Sequence, residues 1–284
     1  MKHIHTYIHL SVQCSSQEMA EILTAYVADY PFETFNTTEN DQGVLLDAYI
    51  RSEEWSACRE ETLAIVADYG TLCVEEEVAD ENWNERWERE SFEPVAIGNE
   101  MVIRSAYHAA PADPDTLDIV ISPSMSFGSG YHQTTRMMCR LIYDLKPTGR
   151  ILDVGCGTGV LTIVALKCGA AEADAVDIDA WSAESAERAA ELNGLEHRMR
   201  VITGTVEAIE GHRYDAIFAN INRNIILYDI ERYAAALADG GHLLVSGFLN
   251  EDVAIILEAA ERHNLSRVRT LDDEGWVAME LVKR

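Results

Sequence analysis

A chain of 284 residues is long enough for two domains, each with a hydrophobic core of its own. Apolar residues make up 48% of the sequence and charged residues 25%, a composition that excludes a disordered or fibrous protein. The 49 aspartates and glutamates outnumber the 22 lysines and arginines, and the resulting net charge of -27 argues against direct binding of nucleic acid.

The start of the sequence and its cysteines and histidines bear on location and on metal binding. Residues 1–5 do not resemble a secretion signal, and no apolar run approaches the roughly 18 residues of a membrane span. We therefore expect a cytoplasmic protein with no membrane contact and, by default, a monomer. The six cysteines form no C-x-x-C pair, which predicts reduced thiols, and the nine histidines lack the spacing of a metal site. We predict that no metal is bound.

The first 80 residues predict a small α+β domain. Strand-like alternation and helical apolar stripes follow one another in the order β-α-β-β-α-β, which is the order of the ferredoxin-like fold. Ser16 is a candidate N-cap for the first helix. The strands are predicted at 3–12, 34–38, 44–50 and 71–78, and the helices at 17–30 and 53–69.

Residues 81–97 predict a linker. Charges alternate over 81–90, and Trp83 and Trp87 are one helical turn apart, as in a solvated helix that joins two domains. The alternative interpretation is a binding role for the two tryptophans.

Residues 98–284 predict a Rossmann-like α/β domain. Strands at 94–105 and 116–122 come first, and from Thr134 onward helices and strands alternate, which favours a doubly wound parallel sheet that ends in a hairpin. Further strands are predicted at 150–154, 172–176, 199–203, 214–219, 242–246, 268–271 and 276–282, with helices at 134–145, 160–169, 181–193, 225–237 and 253–262.

A glycine-rich turn follows the predicted strand at 150–154. Gly155, Gly157 and Gly159 would let the backbone turn tightly and approach a ligand, but a dinucleotide fingerprint would place its third glycine at Val160. Asp153 would repel a pyrophosphate, whereas it could accept hydrogen bonds from the ammonium group of a methionine-like ligand. The turn therefore favours S-adenosylmethionine over NAD.

The ends of the next two strands add polar groups to this site. Asp177 can accept hydrogen bonds from both hydroxyls of a ribose, and Thr205 and Val206 can line an adenine pocket. An alternative is that Asp177 and Asp179 only cap the following helix; this explains Asp179 but leaves Asp177 unexplained.

Asn220 ends the strand predicted at 214–219 and is our catalytic candidate. Its amide oxygen could hold and orient an amine nucleophile beside the methyl group. The alternative is that Asn220 caps the next helix. We see no dedicated general base. His132 is the nearest candidate, but a structural role at the pocket entrance beside Phe127 is the better interpretation.

Four motifs together resemble one family, the methyltransferases of ribosomal protein L11, or PrmA family. They are Phe-Gly-Ser-Gly-Tyr-His-Gln-Thr-Thr over 127–135, Asp-x-Gly-x-Gly-x-Gly over 153–159, Val-Asp-Ile-Asp over 176–179 and Ala-Asn-Ile over 219–221. The resemblance covers nearly the whole chain. It departs after Asn220, where members commonly carry a proline that residues 222–226 lack.

The resemblance implies a class I methyltransferase domain preceded by a domain that recognises ribosomal protein L11. It implies methyl transfer to amino groups of that protein, on lysine side chains, the N-terminal α-amine or both. It also places Thr135 near the methionine end of the cofactor, Gly155 in the glycine turn, Asp177 at the ribose and Asn220 on the substrate side.

Charge agrees with such a partner, since residues 1–95 carry 21 acidic and five basic side chains and would attract a basic protein. Three alternatives stay open. The chain could methylate another protein or a small molecule, or it could be a non-catalytic module that binds the cofactor.

Overall fold

The computed structural model describes residues 6–28, 30–40, 42–79, 92–122, 127–209 and 211–284. The chain divides into two compact units, Met1–Trp83 and Asn84–Arg284. Most of the predicted linker helix, with Trp83 and Trp87, lies outside the described residues. The strand predicted from residue 94 overlaps the end of the predicted linker, and the structure has a strand there, since Val95–Ile97 pairs with Met101–Ile103.

The first unit has the predicted ferredoxin-like order. Its elements are β1 (Thr6–Cys14), α1 (Gln17–Val27), β2 (Phe32–Asn40), β3 (Gly43–Arg51), α2 (Ser52–Tyr69) and β4 (Thr71–Ala79). They form an antiparallel sheet in the order β2-β3-β1-β4.

The core of the first unit follows from the strand alternation. Every second residue of β3 is buried, from Val44 to Ile50, and packs with apolar residues of β1 and of the two helices. Ser16 caps α1 as predicted, and its hydroxyl accepts a hydrogen bond from the Met19 amide at 3.3 Å.

The second unit alternates strands and helices. Its elements are β5 (Val95–Ile97), β6 (Met101–Ser105), β7 (Leu117–Ile121), α3 (Gln133–Leu145), β8 (Arg150–Val154), α4 (Val160–Cys168), β9 (Glu172–Asp177), α5 (Ala180–Leu192), β10 (Met199–Thr203), β11 (Tyr214–Asn220), α6 (Arg223–Ala236), β12 (Leu237–Leu249), α7 (Val253–Arg262), β13 (Leu265–Asp273) and β14 (Trp276–Lys283). A short 3-10 turn, Val206–Ile209, follows β10.

The main sheet has seven strands in the order β10-β9-β8-β11-β12-β14-β13. The first five are parallel, and β14 and β13 form the predicted antiparallel hairpin. The single strand predicted at 94–105 is instead two strands, β5 and β6, because the chain reverses at Gly98, whose φ of 61° favours glycine. These two strands and β7 form a separate small sheet.

Helices cover both faces of the main sheet, which confirms the doubly wound prediction. On β8, Ile151 belongs to the apolar cluster that includes residues of α3, α4 and α5, whereas its neighbour Leu152 belongs to the cluster that includes residues of α6 and α7. Because β8 to β11 are parallel, their carboxyl ends meet at one edge of the sheet, where ligands bind in open α/β folds. Within the described ranges, no helix has the length and apolar character needed to cross a membrane.

Candidate active site

The glycine-rich turn joins β8 to α4 and is tied to the neighbouring strand. The amides of Gly155 and Cys156 both donate to the Val176 carbonyl, at 2.8 and 3.1 Å. The Thr158 amide donates to the carbonyl of Phe127 at 2.9 Å, which holds the segment before α3 against the turn. The turn thus has contacts on two sides.

Glycine is required in this turn for two reasons. Gly155, Gly157 and Gly159 all have positive φ, at 69°, 53° and 75°. A Cβ at Gly157 would lie 2.2 Å from the Phe127 carbonyl oxygen, and one at Gly155 would lie 2.4 Å from a methyl carbon of Ile221. The backbone itself therefore forms the floor of the site.

Asp177 lies at the end of β9, and its carboxylate holds the turn. One oxygen accepts a hydrogen bond from the Gly157 amide at 2.9 Å, and the other accepts from the Asp179 amide at 3.0 Å. Asp179 caps α5, since its own carboxylate accepts from the Trp181 amide at 3.1 Å. The capping interpretation is therefore confirmed for Asp179, whereas the Asp177 carboxylate binds the backbone amides of Gly157 and Asp179.

A cavity of about 540 Å³ opens beside the turn, which is within the usual size of a small-molecule site. Its walls come from the ends of four parallel strands, from the segment before α3 and from α6. Seven of the predicted residues line it: Phe127, Gly155, Gly157, Asp177, Thr205, Val206 and Asn220.

Asn220 ends β11 and faces this cavity. Its amide oxygen is buried and has no hydrogen-bond partner within the described part of the chain. The alternative that Asn220 caps the next helix is wrong, because Asn222 caps α6 by accepting from the Ile225 amide at 3.2 Å. The same cap explains how the helix begins at Arg223 without the proline of the family pattern.

His132 and Thr135 lie at the start of α3 and are not part of the cavity wall. His132 caps this helix, with Nδ1 accepting from the Thr134 amide at 3.3 Å, and its ring lies 4.8 Å from that of Trp276 and 5.5 Å from that of Phe127. This geometry supports the structural interpretation. Thr135 is buried, and its hydroxyl has no partner among the residues that the structure covers.

Asp153 and Gly159 also stay outside the cavity wall. Gly159 begins α4, and Asp153 is fully buried behind the turn. One oxygen of Asp153 accepts a hydrogen bond from the Thr162 hydroxyl at 2.7 Å, and the other has no partner in the described ranges. Contact of Asp153 with a ligand stays a prediction.

Burial raises the pKa of Asp153 from 3.8 to about 7, against the opposing effect of the Thr162 hydrogen bonds. The folded protein therefore keeps this proton where the unfolded chain has lost it, so this group lowers the free energy of unfolding as the pH rises from about 4 to about 7. The free energy of unfolding of Asp153→Asn, compared with that of the parent chain, should therefore increase by about 2–3 kcal/mol when the pH is raised from 5 to 8. Urea unfolding of both proteins at each pH measures this difference in the free energy of unfolding. A difference that does not change with pH would contradict the prediction.

Sequence reasoning missed several residues of the cavity. Ile178, Ile221 and Ile225 form apolar wall, and Asp229 adds a carboxylate from the middle of α6. Ile178 and Ile221 directly follow the predicted Asp177 and Asn220 and could have been inferred from neighbourhood, whereas Ile225 has no predicted neighbour. Asp229 had no such signal, because only the rotation of α6 against the sheet brings it to the cavity.

Comparison with known proteins decides the family. The family described as "Ribosomal protein L11 methyltransferase (PrmA)" matches residues 7–284. The chain belongs to this PrmA family. As a member, it is a methyltransferase, and the function expected from its motifs is confirmed at this level.

Individual members of the PrmA family are similar to this chain over most of its length. A Bacteroides fragilis protein named "Ribosomal protein L11 methyltransferase" is 36% identical over 275 residues, which cover 94% of this chain and 95% of that protein. A Porphyromonas gingivalis protein of the same name is 41% identical over 202 residues, covering 70% of this chain and 69% of that protein. A crystal structure of a ribosomal protein L11 methylase from Lactobacillus delbrueckii subsp. bulgaricus superposes with a TM-score of 0.62 at 26% identity, covering 68% of this chain and all of that one.

Proposed function

We propose that this chain transfers methyl groups from S-adenosylmethionine to amino groups of ribosomal protein L11, on lysine side chains, the N-terminal α-amine or both. The observation that carries the proposal is the cavity in which a glycine turn, Asp177 and the unpartnered amide oxygen of Asn220 come together in a PrmA chain. The relatives are named for the same substrate.

The residues around the cavity fit an adenosyl amino acid. The bare backbone of Gly155 and Gly157 admits a close ligand, and the Asp177 carboxylate keeps lone pairs for ribose hydroxyls. Thr205 and Val206 would line the base, and the unpaired hydroxyl of Thr135 suits the methionine end. When bound, the cofactor supplies an electrophilic methyl group on a sulfonium.

In this reaction the residues of the chain would position the amine nitrogen of the substrate and exclude water from the cavity. The Asn220 oxygen would accept a hydrogen bond from the incoming amine and direct its lone pair at the methyl group. An amine with a pKa of roughly 8–10 must first lose a proton, and loss to water suffices. His132 is not needed as a base, since its Nδ1 already serves α3.

We assign recognition of the substrate to the first unit. Its acidic side chains would attract a basic partner such as a ribosomal protein. We expect the enzyme to act in the cytoplasm as a monomer and without direct contact to nucleic acid.

The test is transfer of labelled methyl from S-adenosylmethionine to purified ribosomal protein L11, with the intact chain and with a version lacking residues 1–80. Cofactor binding by calorimetry is measured on both, so that a misfolded truncation is recognised. Label with the intact chain alone supports both the chemistry and the recognition domain. Cofactor binding without label on L11 would overturn the substrate assignment and leave another protein or a small molecule as the acceptor. Binding with no transfer to any amine would favour the non-catalytic module.

A further inference from the structure

Asp229 is a buried carboxylate for which the proposed reaction has no use. It lies within α6, is 7% exposed and lines the cavity beside the apolar side chains of Val206 and Ile225. A charged group in an apolar wall is unfavourable unless it is paired or hydrogen-bonded. Its partners should therefore reveal its role.

Arg232 shows at which end of the cavity Asp229 lies. This arginine donates to the Oδ1 atom of Asp229, and its guanidinium also lies 3.7 Å from the carboxylate of Glu207. Glu207 directly follows Val206 in the 3-10 turn after β10. Asp229 is therefore at the Thr205–Val206 end, where the base of the cofactor is expected.

The second oxygen of Asp229 is available to a ligand. Arg232 occupies Oδ1, and Oδ2 accepts no hydrogen bond from the described residues. The Thr205 hydroxyl, which also lines the cavity, accepts a hydrogen bond from the Glu207 amide at 3.3 Å. A carboxylate can only accept, so it selects a donor and disfavours a carbonyl oxygen at the same place.

We propose that Asp229 determines the base specificity of the cofactor site by accepting a hydrogen bond from the exocyclic amine of adenine. This inference rests on the proposed function, since it assumes an adenosyl cofactor in this cavity. A purine with an oxo group in place of the amine would set its oxygen against the carboxylate and leave both acceptors without a donor. Arg232 pairs with Oδ1 of the carboxylate and has no contact with the base in this proposal.

The test compares the affinities of the intact protein for S-adenosylhomocysteine and for its deaminated form, S-inosylhomocysteine, by calorimetry. The parent chain should bind the inosyl compound at least about tenfold more weakly. Asp229→Asn can present either an acceptor or a donor, so the ratio should fall to within about threefold. Arg232→Met removes the ion pair but keeps the carboxylate, and it should retain at least the tenfold ratio.

The outcomes separate this inference from the proposed function. If the parent chain binds neither compound, the adenosyl site itself is wrong. If it binds S-adenosylhomocysteine but Asp229→Asn keeps the parent ratio, or the parent shows no preference, only the role of Asp229 is overturned. Thermal unfolding without ligand checks each variant. Should Asp229→Asn not fold, Asp229→Leu is measured by the same criterion.

Discussion

Replacing Asn220 with alanine is expected to lower the turnover number for methyl transfer by about 100-fold, because the amine loses the acceptor that orients its lone pair. The amide oxygen is buried and unpaired within the described structure, so its removal leaves no described donor without an acceptor. Cofactor affinity should change much less than turnover. Initial rates at saturating S-adenosylmethionine and L11, together with calorimetric binding of S-adenosylhomocysteine, measure both quantities.

Asn222 provides a matched control two residues away. It caps α6, so Asn222→Ala should lower the free energy of unfolding by about 1 kcal/mol while turnover stays close to that of the parent chain. The two variants thus separate the proposed catalytic role of Asn220 from the stability of α6. Parental turnover in Asn220→Ala would remove this residue from the mechanism.

Replacing Asp177 with alanine is expected to weaken cofactor binding by about 100-fold, because two functions are lost together. In the proposed site the ribose hydroxyls would lose their acceptor, and the amide of Gly157 would lose the hydrogen bond that fixes the turn. Calorimetric titration with S-adenosylhomocysteine gives the dissociation constant directly.

Asp179→Ala is the control for Asp177. It removes the cap of α5, at about 1 kcal/mol of stability, but the main-chain amide at this position can still donate to Asp177. Its cofactor affinity should therefore stay within a few-fold of the parent value. Equal losses of affinity in the two variants would mean that the helix cap, and not the Asp177 carboxylate, maintains the site.

The order of elements was predictable because it depends on short-range patterns. The alternation of apolar residues in β3 predicts which face of the strand is buried. The glycines after β8 predict where the chain must turn. The carboxyl ends of parallel strands share one sheet edge, so the sequence alone predicts that Asp177 and Asn220 lie at one site. Seven predicted residues indeed line one cavity.

Other features depend on packing that no local pattern encodes. The position of Asp153 beside the turn was predictable, but its full burial and the hydrogen bond that it accepts from Thr162 on α4 depend on packing. Which of two nearby asparagines caps α6 is decided by the residue at which the helix begins, and Asn222 fulfils this role. Asp229 reaches the cavity only because of the rotation of its helix about its own axis. Each of these needs side-chain directions as well as sequence positions.

The double hydrogen bond of the Asp177 carboxylate has a consequence for how a ligand would enter. The Gly157 and Asp179 amides are held by a group of the protein itself, so the dihedral freedom of the glycine turn is already lost when the chain folds. A cofactor would meet a preorganised surface, and little of its binding energy would be spent on ordering backbone. Stability of the fold and affinity for the cofactor would thus be linked through the Asp177 side chain.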